Sequence, residues 1–313
     1  MRSESGPDLV TGGAGFIGSH LVARLLELGR TVRVVDDLST GSLERLRPFG
    51  NAIDLVTADL AVADLVPIVR GAARIFHFAA VPSVPRSVTD PLRTHQACAT
   101  ATLRLLIAAR DAGVPRFVHS SSSSVYGEAE VSPKREDLPV APISPYGVAK
   151  AAAESYVKVF GSLFGMRTVS LRYFNVFGPS QDPTSQYAAV IPIFIRLALA
   201  GQPVPVRGDG EQTRDFTFVS NVIDANLAAA GADVTPGSVY NIASSSPRSI
   251  LELVRAIGRL VGREVELRHE PARPGDIRHS HADISRATAE LGWRPSVGFE
   301  EGLRRTMEWY RAA

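Results

Sequence analysis

A glycine-rich turn between a predicted strand and a predicted helix constrains the fold of this chain more than any other feature. The segment Thr11–Gly18 reads TGGAGFIG, follows the apolar run Asp8–Val10 and leads into Ser19–Leu28, which is apolar at helical spacing. Glycines spaced in this way permit a tight turn, let the backbone approach a pyrophosphate and allow close helix–strand packing. The free N–H groups at the start of the helix would then face the phosphates. The turn therefore predicts a dinucleotide-binding unit.

Short apolar runs alternate with amphipathic stretches beyond this turn. Further strands are predicted over Thr31–Val35, Ile53–Val56, Ile75–Phe78, Phe117–His119 and Leu171–Phe174. Strands that alternate with helices indicate a parallel sheet covered by helices on both faces. We therefore predict an α/β fold with a Rossmann-type doubly wound parallel sheet.

The composition changes after Asn175, where Gly178–Gln186 and Gly201–Gly210 are rich in glycine, proline and polar residues. Asn221–Ala230 and Val239–Ile242 return to a helix and a strand pattern that could rejoin the sheet. The 313 residues suffice for one large or two unequal domains. We predict an NAD-binding Rossmann domain and a smaller mixed C-terminal substrate domain, formed respectively by residues 1–174 plus about 219–243, and by about 175–218 plus 244–313.

Acidic residues at strand ends predict which dinucleotide binds. Asp36 ends the second predicted strand, and Asp37 follows it. A carboxylate at this place binds the ribose hydroxyls of adenosine and repels a 2′-phosphate, which favours NAD over NADP. Asp59, after the third strand, is a weaker candidate for contact with the adenine. The alternative is that Asp36 and Asp37 form only a solvated strand end.

A tyrosine and a lysine four residues apart mark the predicted chemical centre. Tyr146 and Lys150 stand near the start of a predicted helix, so they share one of its faces. A nearby cation favours the phenolate and lowers the pKa of a tyrosine, which makes it a usable base. The serine run Ser120–Ser124 follows a strand, at the edge of the sheet where ligands bind. One serine hydroxyl could bond the reacting oxygen, and the others could simply form a turn.

Charge and cysteine content exclude several classes of protein. The chain has 34 basic and 32 acidic residues, a balance that argues against a nucleic-acid partner. Cys98 is the only cysteine, so neither an intramolecular disulfide nor a thiolate metal cage can form. We see no signal-peptide pattern and no apolar run long enough for a bilayer. These features predict a cytoplasmic protein with no membrane partner.

Several motifs resemble, in the same order, those of the extended short-chain dehydrogenase/reductases. Within that family the chain most resembles the UDP-sugar 4-epimerases, especially those acting on UDP-N-acetylglucosamine. The motifs are TGGAGFIG, the strand-end aspartate, HFAA (His77–Ala80), SSSSVYG, YxxxK, LRYFN (Leu171–Asn175), SVPRS (Ser83–Ser87), QDPTSQYAAVIP (Gln181–Pro192), GDGEQTRDF (Gly208–Phe216) and GDIRHSHADIS (Gly275–Ser285).

This resemblance implies a role for particular residues. The catalytic set would be Ser122, Tyr146 and Lys150. NAD would contact Gly12, Gly15, Phe16, Ile17, Gly18, Asp36, Asp37, Ser39, Gly41, Asp59, Leu60, Ala79, Ala80, Tyr146, Lys150 and Tyr173. The UDP-sugar would contact Ser83, Arg86, Ser122, Asn175, Val190, Arg214, Arg273, Asp276 and Ser280.

The resemblance also favours one reaction among those of the family. Sugar 4,6-dehydratases and the decarboxylases that make UDP-xylose carry an acidic residue just before VYG, whereas Ser123 and Ser124 stand here. A 4-keto intermediate could then only be reduced back, which inverts C4 of a UDP-hexose or UDP-N-acetylhexosamine. A UDP-glucuronate 4-epimerase is the first alternative. Another nucleotide-sugar dehydratase or reductase, or a non-catalytic NAD-sensing protein, is less consistent with the intact catalytic set.

Departures from the family pattern bear on the substrate. Cys98 stands where relatives usually carry an asparagine, and Pro82 where some hexose epimerases carry a lysine. Ser280 takes the place of a tyrosine that closes the sugar pocket in hexose 4-epimerases, which implies room for an acetamido group. Relatives also pair two long helices into a four-helix interface, which implies a homodimer formed through Thr94–Ala112 and Tyr146–Phe164.

Overall fold

Thirteen strands and twelve α-helices make up the computed structural model, which describes residues 6–183, 189–271 and 278–312. The strands are β1 (Asp8–Thr11), β2 (Val32–Asp36), β3 (Ile53–Thr57), β4 (Arg74–His77), β5 (Arg116–Ser122), β6 (Arg167–Tyr173), β7 (Val176–Phe177), β8 (Val204–Arg207), β9 (Thr213–Arg214), β10 (Thr217–Phe218), β11 (Ser238–Ile242), β12 (Arg248–Ser249) and β13 (Leu267–Glu270). The helices are α1 (Phe16–Glu27), α2 (Leu43–Leu46), α3 (Val66–Val69), α4 (Val84–Thr89), α5 (Pro91–His95), α6 (Ala101–Asp111), α7 (Pro145–Phe164), α8 (Val190–Leu199), α9 (Val219–Gly231), α10 (Ile250–Val261), α11 (Ser285–Leu291) and α12 (Phe299–Ala312).

The central sheet has seven strands in the order β11-β6-β5-β4-β1-β2-β3. Every neighbouring pair in it is parallel, which confirms the predicted Rossmann-type α/β fold. From β1 the chain first builds outward through β2 and β3, and then crosses to β4 on the other side of β1. The carboxyl ends of β1 and β4 therefore flank a switch point, which is where open α/β sheets bind ligands.

Two hydrophobic cores lie on opposite faces of this sheet. Adjacent residues of β1 show the division, because Leu9 packs into one core and Val10 into the other. Leu21 of α1 belongs to the core around Val10, while Leu105 of α6 belongs to the core around Leu9. The run of buried side chains on both faces is what a covered parallel sheet requires.

A third core forms outside the sheet. It unites α8, β8, β10, α10 and α12 through buried side chains such as Phe194, Val206, Phe218, Leu253 and Leu303. Strand β11 joins the sheet beside β6, as expected for Val239–Ile242. The division of the chain into two domains at the stated boundaries stays a prediction.

Several element boundaries differ from those predicted; β6, for example, begins at Arg167 rather than Leu171, and two further differences lie near the predicted site. Strand β5 does not end at His119 but continues to Ser122, because the serines extend the parallel ladder with β6 up to the pair Ser122 and Tyr173. The helix predicted over Thr94–Ala112 contains a π-helical turn at Gln96–Thr100 between α5 and α6. Within the described ranges no helix combines the length and the apolarity needed to cross a bilayer.

Candidate active site

The glycine turn leaves little space on one side and open space on the other. Gly12 has φ of +69°, and a methyl group on it would lie 2.6 Å from the backbone nitrogen of Ala79. A methyl group on Gly18 would lie 2.2 Å from the carbonyl oxygen of Gly12. On Gly15 the same group would meet a single heavy atom within 4 Å, the Gly12 oxygen at 3.0 Å. The turn thus packs tightly against the end of β4 while Gly15 faces free space.

The start of α1 is built to face an anion. Gly15 is the N-cap and supplies no side-chain hydrogen bond, and the first turn contains no acidic residue. The N–H groups at the beginning of a helix have no partner within the helix and carry a partial positive charge. Phe16 and Ile17, two predicted cofactor contacts, occupy this first turn.

Asp36 is fixed at the carboxyl end of β2 by the glycine turn itself. Its Oδ2 accepts a hydrogen bond of 2.9 Å from the Ala14 N–H, and its Oδ1 accepts one of 2.9 Å from the Leu38 N–H. A methyl group on Gly41 would come within 2.7 Å of Oδ1, so a glycine is needed there. Burial raises the pKa of Asp36, and the two hydrogen bonds oppose that rise. The carboxylate retains lone pairs that can accept ribose hydroxyls.

Asp37 and Asp59 are joined by a residue that the sequence analysis missed. Arg93 of α5 contacts Asp37 Oδ2 at 2.8 Å through Nη2 and Asp59 Oδ2 at 2.9 Å through Nη1. Asp37 Oδ1 also accepts a hydrogen bond of 2.6 Å from the Ser39 hydroxyl. Leu60, beside Asp59, is buried in the core. No local pattern around Arg93 indicated this pairing, because it depends on how α5 lies against two strand ends.

The start of α7 brings the predicted chemical groups together. The Ser144 side chain caps the helix by accepting a hydrogen bond of 3.1 Å from the Gly147 N–H, which places Tyr146 and Lys150 one turn apart. Lys150 is buried and donates from Nζ to the carbonyl oxygen of Ser120 at 2.7 Å. Burial lowers the pKa of Lys150. The site thus holds the lysine against the carboxyl end of β5.

Tyr146 and Ser122 face each other at this end of the sheet. Burial raises the pKa of Tyr146 above its ordinary value, and a hydrogen bond with Ser122 opposes the rise. The Ser122 hydroxyl also lies 2.5 Å from the Ser124 hydroxyl. Cys98 is buried in the π-helical turn, close enough to affect the pKa of both Tyr146 and Lys150.

His77, from the HFAA motif, connects β4 to β1 and α6 through hydrogen bonds of its imidazole ring. Its Nδ1 lies 2.6 Å from the Thr11 hydroxyl and its Nε2 lies 2.8 Å from the Thr102 hydroxyl. Because the Thr102 hydroxyl donates to the Cys98 carbonyl, Nε2 must carry the proton and Nδ1 must accept from Thr11. Burial, with a smaller effect of Lys150, lowers the pKa of His77 to about 3, so this imidazole is neutral.

A second polar group forms where Asn175 meets the predicted substrate side. Asn175 has φ of +34°, and its Nδ2 donates to the Ser280 hydroxyl at 3.2 Å. The buried Asp215, which the sequence analysis did not single out, accepts hydrogen bonds from the Ser244 hydroxyl at 2.6 Å and from the Ala282 N–H at 3.1 Å. Asp215 therefore holds the segment after Ser280 against the end of β11.

The other predicted contacts are dispersed around the same edge. Ser83 caps α4 by accepting a hydrogen bond of 3.2 Å from the N–H of Arg86. Val190 is the first residue of α8, and Arg214 lies in β9 with Nη1 donating to the Thr213 carbonyl at 2.8 Å. Tyr173 is buried, with its hydroxyl 2.9 Å from the Asn226 amide nitrogen, while Ala79 and Ala80 follow β4. Arg273 and Asp276 lie outside the described residues.

A family model described as the NAD dependent epimerase/dehydratase family matches residues 9–243. The chain belongs to this family. It is 42% identical over 308 residues to a UDP-glucose 4-epimerase of Mycolicibacterium smegmatis, a match covering 97% of this chain and 98% of that protein.

Solved structures agree with this assignment. A UDP-N-acetylglucosamine 4-epimerase from Methanobrevibacter ruminantium, in complex with UDP-N-acetylmuramic acid, superposes with a TM-score of 0.94 at 41% identity and 98% coverage of both chains. A UDP-glucuronic acid 4-epimerase from Bacillus cereus, in complex with UDP-glucuronic acid and NAD, gives a TM-score of 0.90 at 32% identity, covering 98% of this chain and 99% of that one.

The residues present fit the NAD that this family uses. The free side of Gly15 and the uncapped start of α1 suit a pyrophosphate. Asp36 stands at the end of the next strand, where ribose hydroxyls bind in this fold. These features agree with the expected order of the dinucleotide along the sheet edge, and the contacts of the individual residues with NAD stay a prediction.

Proposed function

We propose that this protein is an NAD-dependent epimerase that inverts C4 of a UDP-hexose or UDP-N-acetylhexosamine. The observation that carries the proposal is the convergence of Ser122, Tyr146 and Lys150 at the sheet edge that also holds the glycine turn. The similarity over nearly the whole chain to 4-epimerases of two UDP-sugars supports the same reaction.

Tyr146 acts as the base in this proposal. Its phenolate accepts the proton of the sugar 4-hydroxyl, and the Ser122 hydroxyl donates a hydrogen bond to the reacting oxygen. Bound NAD⁺ supplies the hydride acceptor at C4 and afterwards the hydride donor. Burial raises the pKa of Tyr146, so cationic charge is needed to generate the phenolate. In this proposal Lys150, one turn further along α7, supplies that charge. Tyr146 then returns the proton after the 4-keto sugar has turned its other face.

The residues before Val125 favour epimerisation over elimination. Ser123 and Ser124 begin a short 3₁₀ turn directly after β5, and neither carries a carboxyl group that could move a proton at C5 or C6. A UDP-glucuronate 4-epimerase is the second candidate, supported by the similarity to the Bacillus cereus enzyme.

The test is incubation of the purified protein, without added cofactor, with UDP-glucose, UDP-N-acetylglucosamine and UDP-glucuronate in parallel. Chromatography should show the C4 epimer of one or both of the first two. Turnover of UDP-glucuronate alone would replace the proposal by the second candidate. Absence of any epimer from a protein that retains NAD would reject both.

Asp36 provides a prediction about cofactor choice. Asp36→Asn removes the charge but keeps the shape, so the variant should retain less NAD after purification and should accept NADP better than the parent does. The ratio of the two dissociation constants, measured by titration, checks this. Unchanged retention together with unchanged exclusion of NADP would show that Asp36 does not face the ribose.

We further propose that two copies associate through α6 and α7. Apolar side chains stand exposed on α7, among them Val148 (51%), Val159 (44%) and Leu163 (70%), and Ile107 of α6 is exposed by 39%. An apolar strip of this kind on the surface marks an interaction site. Its position on the two helices expected to pair supports a homodimer.

Val159→Glu should therefore convert the dimer into a monomer, because a carboxylate would be buried at the interface. Light scattering at micromolar concentration measures this directly. Leu28→Glu is the matched control, since Leu28 is also exposed (50%) but lies beyond the end of α1, outside the strip. A parent protein that is already monomeric would contradict the dimer.

A further inference from the structure

Arg93 connects two acidic residues that come from different strands. Asp37 follows β2, Asp59 follows β3, and the guanidinium of Arg93 reaches both, with Nη2–Oδ2 and Nη1–Oδ2 distances of 2.8 Å and 2.9 Å respectively. All three side chains are partly exposed, at 36%, 26% and 28%. They lie at the sheet edge that holds the glycine turn, rather than on a remote surface.

The local charge balance depends on this arginine. Asp36, Asp37 and Asp59 bring three carboxylates to the ends of two adjacent strands. After the larger effect of burial, the charge of Asp37 contributes to raising the pKa of Asp36, so these groups interact. Without a cation the carboxylates would repel one another and an anionic dinucleotide. Arg93 shares its single positive charge between two of the three carboxylates, while Arg45 acts on Asp36 and Arg104 acts more weakly on Asp59.

The shape of the guanidinium also suits a bridge between carboxylates that follow two neighbouring strands. A planar group with two terminal nitrogens can hold one carboxylate on each side, which a lysine ammonium cannot do in the same geometry. Each terminal nitrogen already donates a hydrogen bond to a carboxylate, so the positive charge of Arg93 is largely offset by two aspartates before a 2′-phosphate approaches. Discrimination against NADP is thereby left to Asp36, while Arg93 sets where Asp37 and Asp59 stand.

We propose that Arg93 is a positioning residue for the adenosine half of NAD, acting through Asp37 and Asp59. This rests on the proposed function only for the identity of the cofactor and not for the reaction. Arg93 comes from α5, which follows α4, the helix that Ser83 caps and that contains Arg86. The cofactor end of the site is thereby joined along the chain to the segment predicted to contact the substrate.

The experiment compares Arg93→Met with the parent by titration of NAD into protein freed of cofactor, and by the NAD retained after dialysis. The dissociation constant for NAD should rise about tenfold, as expected for the loss of two partly exposed charge-assisted hydrogen bonds. Binding of UDP should not change, NADP should remain excluded, and kcat at saturating NAD should equal that of the parent. Arg93→Lys should fall between the two proteins in NAD affinity.

Arg33→Met is the matched control for a purely structural effect. Arg33 of β2 also pairs with an aspartate of β3, Asp54, at 2.6 Å, but not at the ligand-binding edge of the sheet. If Arg33→Met weakens NAD binding as much as Arg93→Met does, or if Arg93→Met leaves NAD binding unchanged, the proposal is overturned. Adding Arg93→Met to Asp37→Asn should cost less affinity than adding it to the parent, because the two changes remove the same contact.

These outcomes are separate from those of the epimerase test. A parent protein that binds NAD and UDP but produces no epimer would reject the proposed reaction. The role of Arg93 would still be supported if Arg93→Met bound NAD more weakly than the parent. An active epimerase in which Arg93→Met binds NAD normally would reject the role of Arg93 alone.

Discussion

Replacing Tyr146 with phenylalanine should reduce epimerisation by about a hundredfold or more, which is the usual contribution of a general base. The ring stays in place, so the fold and the NAD content should be those of the parent. Tyr146 lies beside Ser122 on the face of α7 that also presents Lys150, and no other phenol has this position among the residues described. Initial rates by chromatography, with the absorbance of bound NAD as the check on cofactor, measure the effect.

The pH dependence of the parent enzyme gives an independent test of the same role. Burial raises the pKa of Tyr146 and the hydrogen bond with Ser122 opposes the rise, and the active phenolate becomes more abundant as the pH rises. We therefore expect kcat to increase with pH, and we expect Tyr146→Phe to lose this dependence.

Tyr240→Phe is the control for the loss of a tyrosine hydroxyl. Tyr240 also bonds through its hydroxyl, to Glu290 at 2.6 Å, but it lies in β11 at the edge of the sheet. It should lower stability slightly and leave turnover unchanged. Near-normal turnover in Tyr146→Phe would remove Tyr146 from the mechanism.

The features that the sequence predicted well are local ones. The glycine turn, Asp36 at the end of β2 and the pair Tyr146 and Lys150 each depend on spacing within a single strand–turn–helix unit. The alternation of strands and helices also sufficed for the parallel sheet, because a parallel connection requires a crossover and both faces must be covered. Such patterns are visible without knowledge of the tertiary structure.

The features that the sequence did not predict depend on contacts between distant segments. Arg93 contacts Asp37 and Asp59 only because α5 lies across two strand ends. Asp215 accepts hydrogen bonds from Ser244 and Ala282, and these three residues lie in three separate loops. The predicted end of β5, at His119, was wrong for a related reason. Serine is not typical of a strand, but the ladder with β6 overrides that local preference.

Ser280→Tyr should abolish turnover of UDP-N-acetylglucosamine while sparing UDP-glucose. Ser280 is buried, its N–H donates to the Thr213 carbonyl at 3.2 Å, and its hydroxyl accepts a hydrogen bond from Asn175. A tyrosine ring cannot occupy this volume without entering the space beside Asn175, which is a predicted substrate contact. Because overpacking acts locally, turnover of the larger UDP-N-acetylglucosamine should be lost, whereas turnover of the smaller UDP-glucose should not. Rates with both substrates measure the effect.

The variant Ser280→Ala distinguishes the effect of added side-chain volume from the effect of losing the hydrogen bond with Asn175. It removes the hydroxyl that Asn175 contacts but adds no volume, so it should turn over both sugars. Thermal unfolding and NAD content of Ser280→Tyr show whether the larger side chain is accommodated. Equal loss of both activities in a folded, NAD-containing Ser280→Tyr protein would mean that this position does not select the sugar. A parent that does not turn over N-acetylated sugars would lead to the same conclusion, and UDP-glucuronate would become the preferred candidate if UDP-glucose were not turned over either.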